Sequence, residues 1–116
     1  PGTGCPVIAS VTGASYLLIV TEPTISGLHD LKRAVELASH FRVKCGVCVN
    51  RADINDEVTS EIKDFCSAKG IVFLGAIPYD KDVTAAQIAG KTVVDHSDGP
   101  ASTAIKELWN RIKNEI

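Results

Sequence analysis

Lys44-Cys45-Gly46-Val47-Cys48-Val49-Asn50-Arg51-Ala52-Asp53 is an apolar run that passes straight into a polar loop. Residues 44–49 lack the polar alternation of a half-wet strand, and they read as a strand buried on both faces, as in parallel sheets. Asn-Arg-x-Asp then falls at the carboxyl end of that strand, the edge at which open α/β sheets hold their ligands. An Asn side chain can pair with the N6/N7 edge of adenine, and an Asp carboxylate suits the two donors of guanine. The Arg stem can lie along the base plane. The same residues also suit an Asx turn leading into a helix.

Two further runs repeat the pattern. Tyr16-Leu17-Leu18-Ile19-Val20-Thr21 and Ile71-Val72-Phe73-Leu74-Gly75-Ala76-Ile77 are apolar and rich in β-branched residues, and each reads as a buried strand. Helices fill the spaces between them. Pro6, Val7, Ile8 and Val11 predict a short helix over 5–13. Leu28, Leu31, Val35 and Ala38 recur at helical spacing and predict a helix over 27–41, with Ser26 as its N-cap. Val58, Ile62 and Phe65 mark another, capped by Asn55 or Asp56 and stopped by Gly70. A short helix is expected at about 81–89. Thr92-Val93-Val94 reads as a turn or a brief strand, and a last helix starts at Pro100 with Ile105, Leu108, Trp109, Ile112 and Ile116 facing inward.

Strands alternating with amphipathic helices predict βαβ units, hence a parallel sheet with helices on both faces. Only three strong strands are present, and all read as buried. Such a sheet leaves two apolar edges, which points to a fragment of a larger sheet or to edge pairing between copies.

Bulk properties narrow the function. A chain of 116 residues is one domain. A net charge of −2 and a pI near 5.9 give no reason to expect nucleic acid or an anionic membrane as partner. No apolar run reaches the roughly 18 residues needed to span a bilayer. The first residues carry no charged segment followed by an apolar one, and the expected location is the cytoplasm.

Cys45 and Cys48 are spaced as C-x-x-C, but on a strand residues three apart point to opposite faces and cannot share a metal. They read as buried thiols, as do the isolated Cys5 and Cys66. His29, His40 and His96 are scattered, with no zinc-site spacing. The chain contains no G-x-x-x-x-G-K-S/T phosphate loop; Gly2-Thr3-Gly4 is too short and lacks the lysine. Three loops remain as candidate site. Gly2, after Pro1, could bring a backbone N–H to a terminal phosphate. Asn50, Arg51 and Asp53 are placed to read a base. Pro78-Tyr79-Asp80 form a rigid turn that would wall the same pocket, or simply lead into a helix with Asp80 as its N-cap.

These residues resemble a known family. Pro1-Gly2-Thr3-Gly4-Cys5-Pro6-Val7-Ile8 resembles the tail of the D-x-P-P-G switch motif of MinD/ParA/Mrp-like P-loop ATPases, the deviant Walker A class. Val20-Thr21-Glu22-Pro23-Thr24 and Ser26-Gly27-Leu28-His29-Asp30-Leu31 resemble the strand and helix that follow it. Val49-Asn50-Arg51-Ala52-Asp53 is similar to the base-recognition loop, and Ile77-Pro78-Tyr79-Asp80 with Val83 to a second base-proximal segment. The similarity spans the chain and is closest to the MinD-like subgroup with an inserted ferredoxin domain.

The resemblance implies a P-loop NTPase-like fold, with residues 1–116 as the C-terminal half of a nucleotide-binding domain. It implies ATP or ADP with Mg as cofactors of the full-length protein, and a homodimer formed around the nucleotide. Pro1, Gly2, Asn50, Arg51, Asp53, Pro78, Tyr79 and Asp80 become the nucleotide-binding residues. Any iron–sulfur cluster would belong to a domain outside this segment. The Walker A lysine, the Mg-binding Thr and the switch Asp also lie outside it, and on this reading the segment alone is inactive. The family points to adenine, whereas Asp53 in Asn-Arg-x-Asp approaches the N-K-x-D pattern of GTP-binding domains. The alternatives are a GTP-binding domain and a nucleotide-free scaffold module using helix 27–41 as a partner face.

Overall fold

The computed structural model describes residues 5–116, with side chains from residue 6 onward. Helix α1 spans Cys5–Val11, strand β1 Tyr16–Thr21, helix α2 Ile25–His40, strand β2 Lys44–Asn50, helix α3 Asp56–Lys69 and strand β3 Val72–Ile77. Helices α4 (Lys81–Ile88), α5 (Val93–His96) and α6 (Pro100–Glu115) complete the chain, and a 3-10 turn, Ala52–Ile54, separates β2 from α3.

The apolar runs form one parallel three-stranded sheet in the order β1-β2-β3. Leu17, Ile19 and Thr21 stand opposite Cys45, Val47 and Val49. On one face, Ile19, Val47 and Val49 pack with Leu31 of α2 and with Val58, Ile62 and Cys66 of α3. On the other, Cys48 and Leu74 pack with Leu108 of α6, flanked by Tyr16, Ile77 and Ile112. Helices therefore lie on both faces. α2 and α3 share one face because two consecutive crossovers of the same hand must.

β2 and β3 pair with one irregularity. Val47 stands opposite Phe73 and Cys48 opposite Gly75, which leaves Leu74 as an extra residue in β3. A bulge removes a residue from the ladder. The Leu74 carbonyl instead accepts a bond from Arg111 Nη1 of α6 at 2.6 Å. The last turns of α6 are thereby fastened to the sheet, with Lys44 and Glu115 adding an ion pair at 2.9 Å.

Four expectations change. The cap of α2 is Thr24, not Ser26: its backbone is extended and its Oγ1 accepts from Gly27 N at 2.8 Å. Thr92-Val93-Val94 is neither turn nor strand; Thr92 caps the four-residue α5, accepting from Asp95 N at 3.2 Å. Trp109 and Ile116 do not face inward. The buried stripe of α6 is centred on Ala101 and Leu108, and Trp109 lies about 100° further round the helix. It is 56% exposed.

The fourth concerns β1, which is covered on one face only. Ile19 and Thr21 are buried, whereas Leu18 is 37% and Val20 57% exposed. α6 sits over β2 and β3 and meets β1 at Tyr16, leaving Leu18 and Val20 uncovered. Beyond β1 no further strand pairs among the described residues. A groove of about 240 Å³ runs there between Val7 and Val11 of α1 and Leu31 of α2. An apolar strand with an open edge and a bare face is the form of an interior strand of a larger sheet.

Candidate functional site

Parallel pairing sends the carboxyl ends of all three strands to one edge, where the loops 22–24, 51–55 and 78–80 emerge side by side. Register makes the last two immediate neighbours, since Asn50 stands opposite Ile77.

The loop after β2 is shaped by its own side chains. Asn50 Oδ1 accepts the Arg51 N–H at 3.0 Å, and Arg51 takes a left-handed backbone conformation with φ 52 and ψ 44. For a residue with a Cβ that conformation costs about 1–2 kcal/mol. It reverses the chain directly after the strand and leaves the Arg51 side chain exposed. Ala52 is buried beneath the loop, and its carbonyl accepts from Thr59 Oγ1 of α3 at 2.7 Å. Asn55 then caps α3, accepting from Val58 N at 3.1 Å.

Asp53 joins this loop to the next. Its Oδ1 accepts the backbone N–H of Tyr79 at 2.7 Å. Asn50, Arg51, Asp53, Pro78 and Tyr79 are thus held together at one edge of the sheet. The Tyr79 side chain is 58% exposed there, as is Ile54 of the 3-10 turn. Ile54 carried no signal as a site residue in the sequence; its place on the rim follows only from the turn.

Asp80 is placed differently. Its Oδ1 accepts from Asp82 N at 2.9 Å and its Oδ2 from Ala101 N at 3.1 Å, so one carboxylate caps α4 and holds the first turn of α6. The bond from Asp82 N, followed by that from Ala101 N, keeps its carboxyl below the usual carboxylate range. Ser97 Oγ donates to Asp82 Oδ2 at 2.6 Å and accepts from Gly99 N at 3.0 Å, which ties in the loop before α6. Asp80 therefore fixes the backbone next to Tyr79 rather than offering its charge to the rim. Pro1 and Gly2 lie outside the described residues.

The loop after β1 is locked at its base. Thr21 Oγ1 donates to the Gly27 carbonyl at 3.0 Å, and a Cβ on Gly27 would collide with the Glu22 carbonyl oxygen. Only glycine fits where the helix start folds back onto the strand end.

Cys45 and Cys48 lie on opposite faces of the sheet, and Cys66 shares the face of Cys45. Cys45 packs on the α2–α3 side and Cys48 in the α6 core. Burial pushes the Cys48 thiol up to about 11, and a thiol held protonated is a poor metal ligand. No group of three or more metal-binding side chains converges among the described residues. None of their helices is long and apolar enough to cross a membrane.

The sequence and fold can be set beside known proteins. No protein-family profile matches the chain. An uncharacterised protein of Methanocaldococcus jannaschii is 33% identical over 116 residues, covering 100% of this chain and 38% of the relative. An uncharacterised ATP-binding protein of the same organism is 34% identical over 105 residues, 89% of this chain and 39% of that one. An iron-sulfur cluster carrier protein of Pyrococcus horikoshii is 29% identical over 130 residues, 100% of this chain and 43% of the relative. The chain thus spans less than half the length of these relatives.

Among solved structures, the MinD cell division protein of Aquifex aeolicus superposes with a TM-score of 0.79 at 24% identity, over 97% of this chain and 50% of that one. A ParA family ATPase of Chlorobium tepidum gives 0.62 at 19% identity, over 91% and 43%. The chain thus covers half or less of each of these solved structures. In fold the chain matches about half of the MinD and ParA ATPases, and in sequence it is similar to an ATP-binding protein and to an iron-sulfur cluster carrier protein over less than half of their length.

Proposed function

We propose that residues 1–116 are the C-terminal half of a MinD-like nucleotide-binding domain and carry its base-recognition loops. The observation behind this reading is the bond from Tyr79 N to Asp53 Oδ1, which unites two loops at the carboxyl ends of adjacent parallel strands. That edge is where open α/β sheets bind nucleotides. Asn50 offers an amide for the purine edge, Arg51 an exposed cation, and Pro78-Tyr79 the wall of the pocket.

Adenine is the base this arrangement favours, since Asp53 is already engaged with the backbone. The residues fit the base end of ATP or ADP. They do not fit the phosphates or Mg, because the sequence holds no phosphate loop. The residues that hold the phosphates and Mg would come from the unmatched half of the domain, together with the dimer contacts, and hydrolysis would be a property of the whole. The relatives named as iron-sulfur cluster carriers raise the same role for the parent protein, with any cluster held outside this segment.

Titration calorimetry with ATP, ADP and GTP tests the reading on the chain alone and on a polypeptide extended upstream. ATP should bind the longer form with Mg and the chain alone only weakly. Asn50→Ala should weaken ATP binding to the longer form. Tight Mg-dependent binding by the chain alone would defeat the half-domain reading, a preference for GTP would overturn adenine, and no binding by either would favour a scaffold module.

A further inference from the structure

Three features converge on Tyr79. Its N–H is held by Asp53 Oδ1 at 2.7 Å, a bond that spans 26 residues of sequence. Pro78 precedes it, so the ring-fixed φ of that residue limits how the loop can swing. Asp80 follows it with each carboxylate oxygen on a helix amide, Asp82 N at 2.9 Å and Ala101 N at 3.1 Å. The Tyr79 backbone is therefore fixed on both sides while its side chain remains 58% exposed at the ligand edge of the sheet. A rigidly mounted, exposed aromatic ring is a stacking platform, and base–aromatic stacking is tolerant of base identity.

Reading guanine would require the Asp53 carboxylate to accept two base donors at once. Oδ1 already accepts a short main-chain bond, and turning the carboxylate toward a base would strand the Tyr79 N–H. We infer that Asp53 is a positioning residue: it mounts Tyr79 as the stacking wall for a purine and does not itself read the base. This deepens the nucleotide reading and rests on it. Base choice is then left to Asn50, and the likeness of Asn-Arg-x-Asp to a guanine motif is one of sequence only.

The experiment uses the extended polypeptide and compares ATP, GTP and inorganic tripolyphosphate, which has no base to stack. Asp53→Ala should weaken ATP by about tenfold, the scale of one lost hydrogen bond to a charged group, and leave tripolyphosphate unchanged. Asp53→Asn keeps an oxygen for the Tyr79 N–H and should restore ATP affinity. Tyr79→Ala should reproduce the loss, and adding Asp53→Ala to it should cost nothing more. An unchanged ratio of ATP to tripolyphosphate affinity in Asp53→Ala would overturn the inference, as would an Asp53→Asn variant that loses GTP binding alone. If the unsubstituted protein binds tripolyphosphate as tightly as ATP, the base site itself is refuted, and the nucleotide reading falls with it.

Discussion

Tyr16 lies across Gly46. The two residues sit on neighbouring strands, and a Cβ on Gly46 would run into the Tyr16 hydroxyl and come within 2.6 Å of Leu74 Cδ1. The glycine is there for space, since a side chain at that point has nowhere to go. Gly46→Ala should destabilise by about 1–3 kcal/mol, the usual range for forcing extra volume into a packed core. The Tyr16 hydroxyl is buried and has no hydrogen-bond partner among the described residues. Tyr16→Phe should therefore be neutral or stabilising by up to about 1 kcal/mol. It should also soften Gly46→Ala, giving a positive coupling in a double-mutant cycle. Urea unfolding of the four proteins measures this, and strictly additive effects would show that the hydroxyl is not what fills the space.

Cys48 makes the fold sensitive to alkali. Its side chain is fully buried, and burial raises its thiol from the usual 9.0 to about 11. A raised value means that the folded state holds its proton longer than the unfolded chain does. The associated stability is fully present below about pH 9 and is lost as pH climbs through about 11, to the extent of about 3 kcal/mol. Burial shifts Cys45, Cys66 and the Tyr16 phenol in the same direction, so they steepen the loss. Cys48→Ala should be less stable at neutral pH, because it empties packed space, yet lose less on going from pH 8 to 11. Chemical unfolding at a series of pH values tests it, and identical alkaline slopes would rule Cys48 out as a contributor.

Periodicity was enough to expose the three strands and the main helices, because a short continuous apolar run and a helix with one apolar stripe differ in spacing. It failed where two residues of one type compete for a role. Thr24 and Ser26 can each cap a helix, and only the extended backbone at Thr24 chooses between them. Trp109 follows Leu108 directly, so an apolar count assigns both to the core although one helical step separates their directions. Asn50, Arg51 and Asp53 stand together in the sequence, but the bond from Tyr79 N to Asp53 depends on the strand register. That register includes the extra Leu74, which no local pattern marks. The bare face of β1 was likewise hidden, since the sequence says how apolar a strand is and not which helix reaches it.

Asp80 should act as a joint between two helices, with an acid-dependent signature. One carboxylate receives Asp82 N of α4 and Ala101 N of α6. Asp80→Ala leaves both amides without that acceptor, so hydrogen exchange at Asp82 and Ala101 should speed up and the melting temperature should fall. Asp80→Asn keeps one carbonyl oxygen but turns the other acceptor into a donor, and should lie between the two. Because its folded value is lowered beneath 3.8 by those backbone bonds, Asp80 contributes stability fully above about pH 4. That contribution disappears as pH drops through the lower folded value. Wild-type protein should therefore lose more stability between pH 5 and 2 than Asp80→Ala does. Salt should change the difference little, since it arises from direct hydrogen bonds rather than from distant charges. Exchange at Ala101 that is unaltered in Asp80→Ala would mean that α6 is held by its Leu108 packing, the Arg111–Leu74 bond and the Lys44–Glu115 ion pair without help from Asp80, and the joint would be refuted.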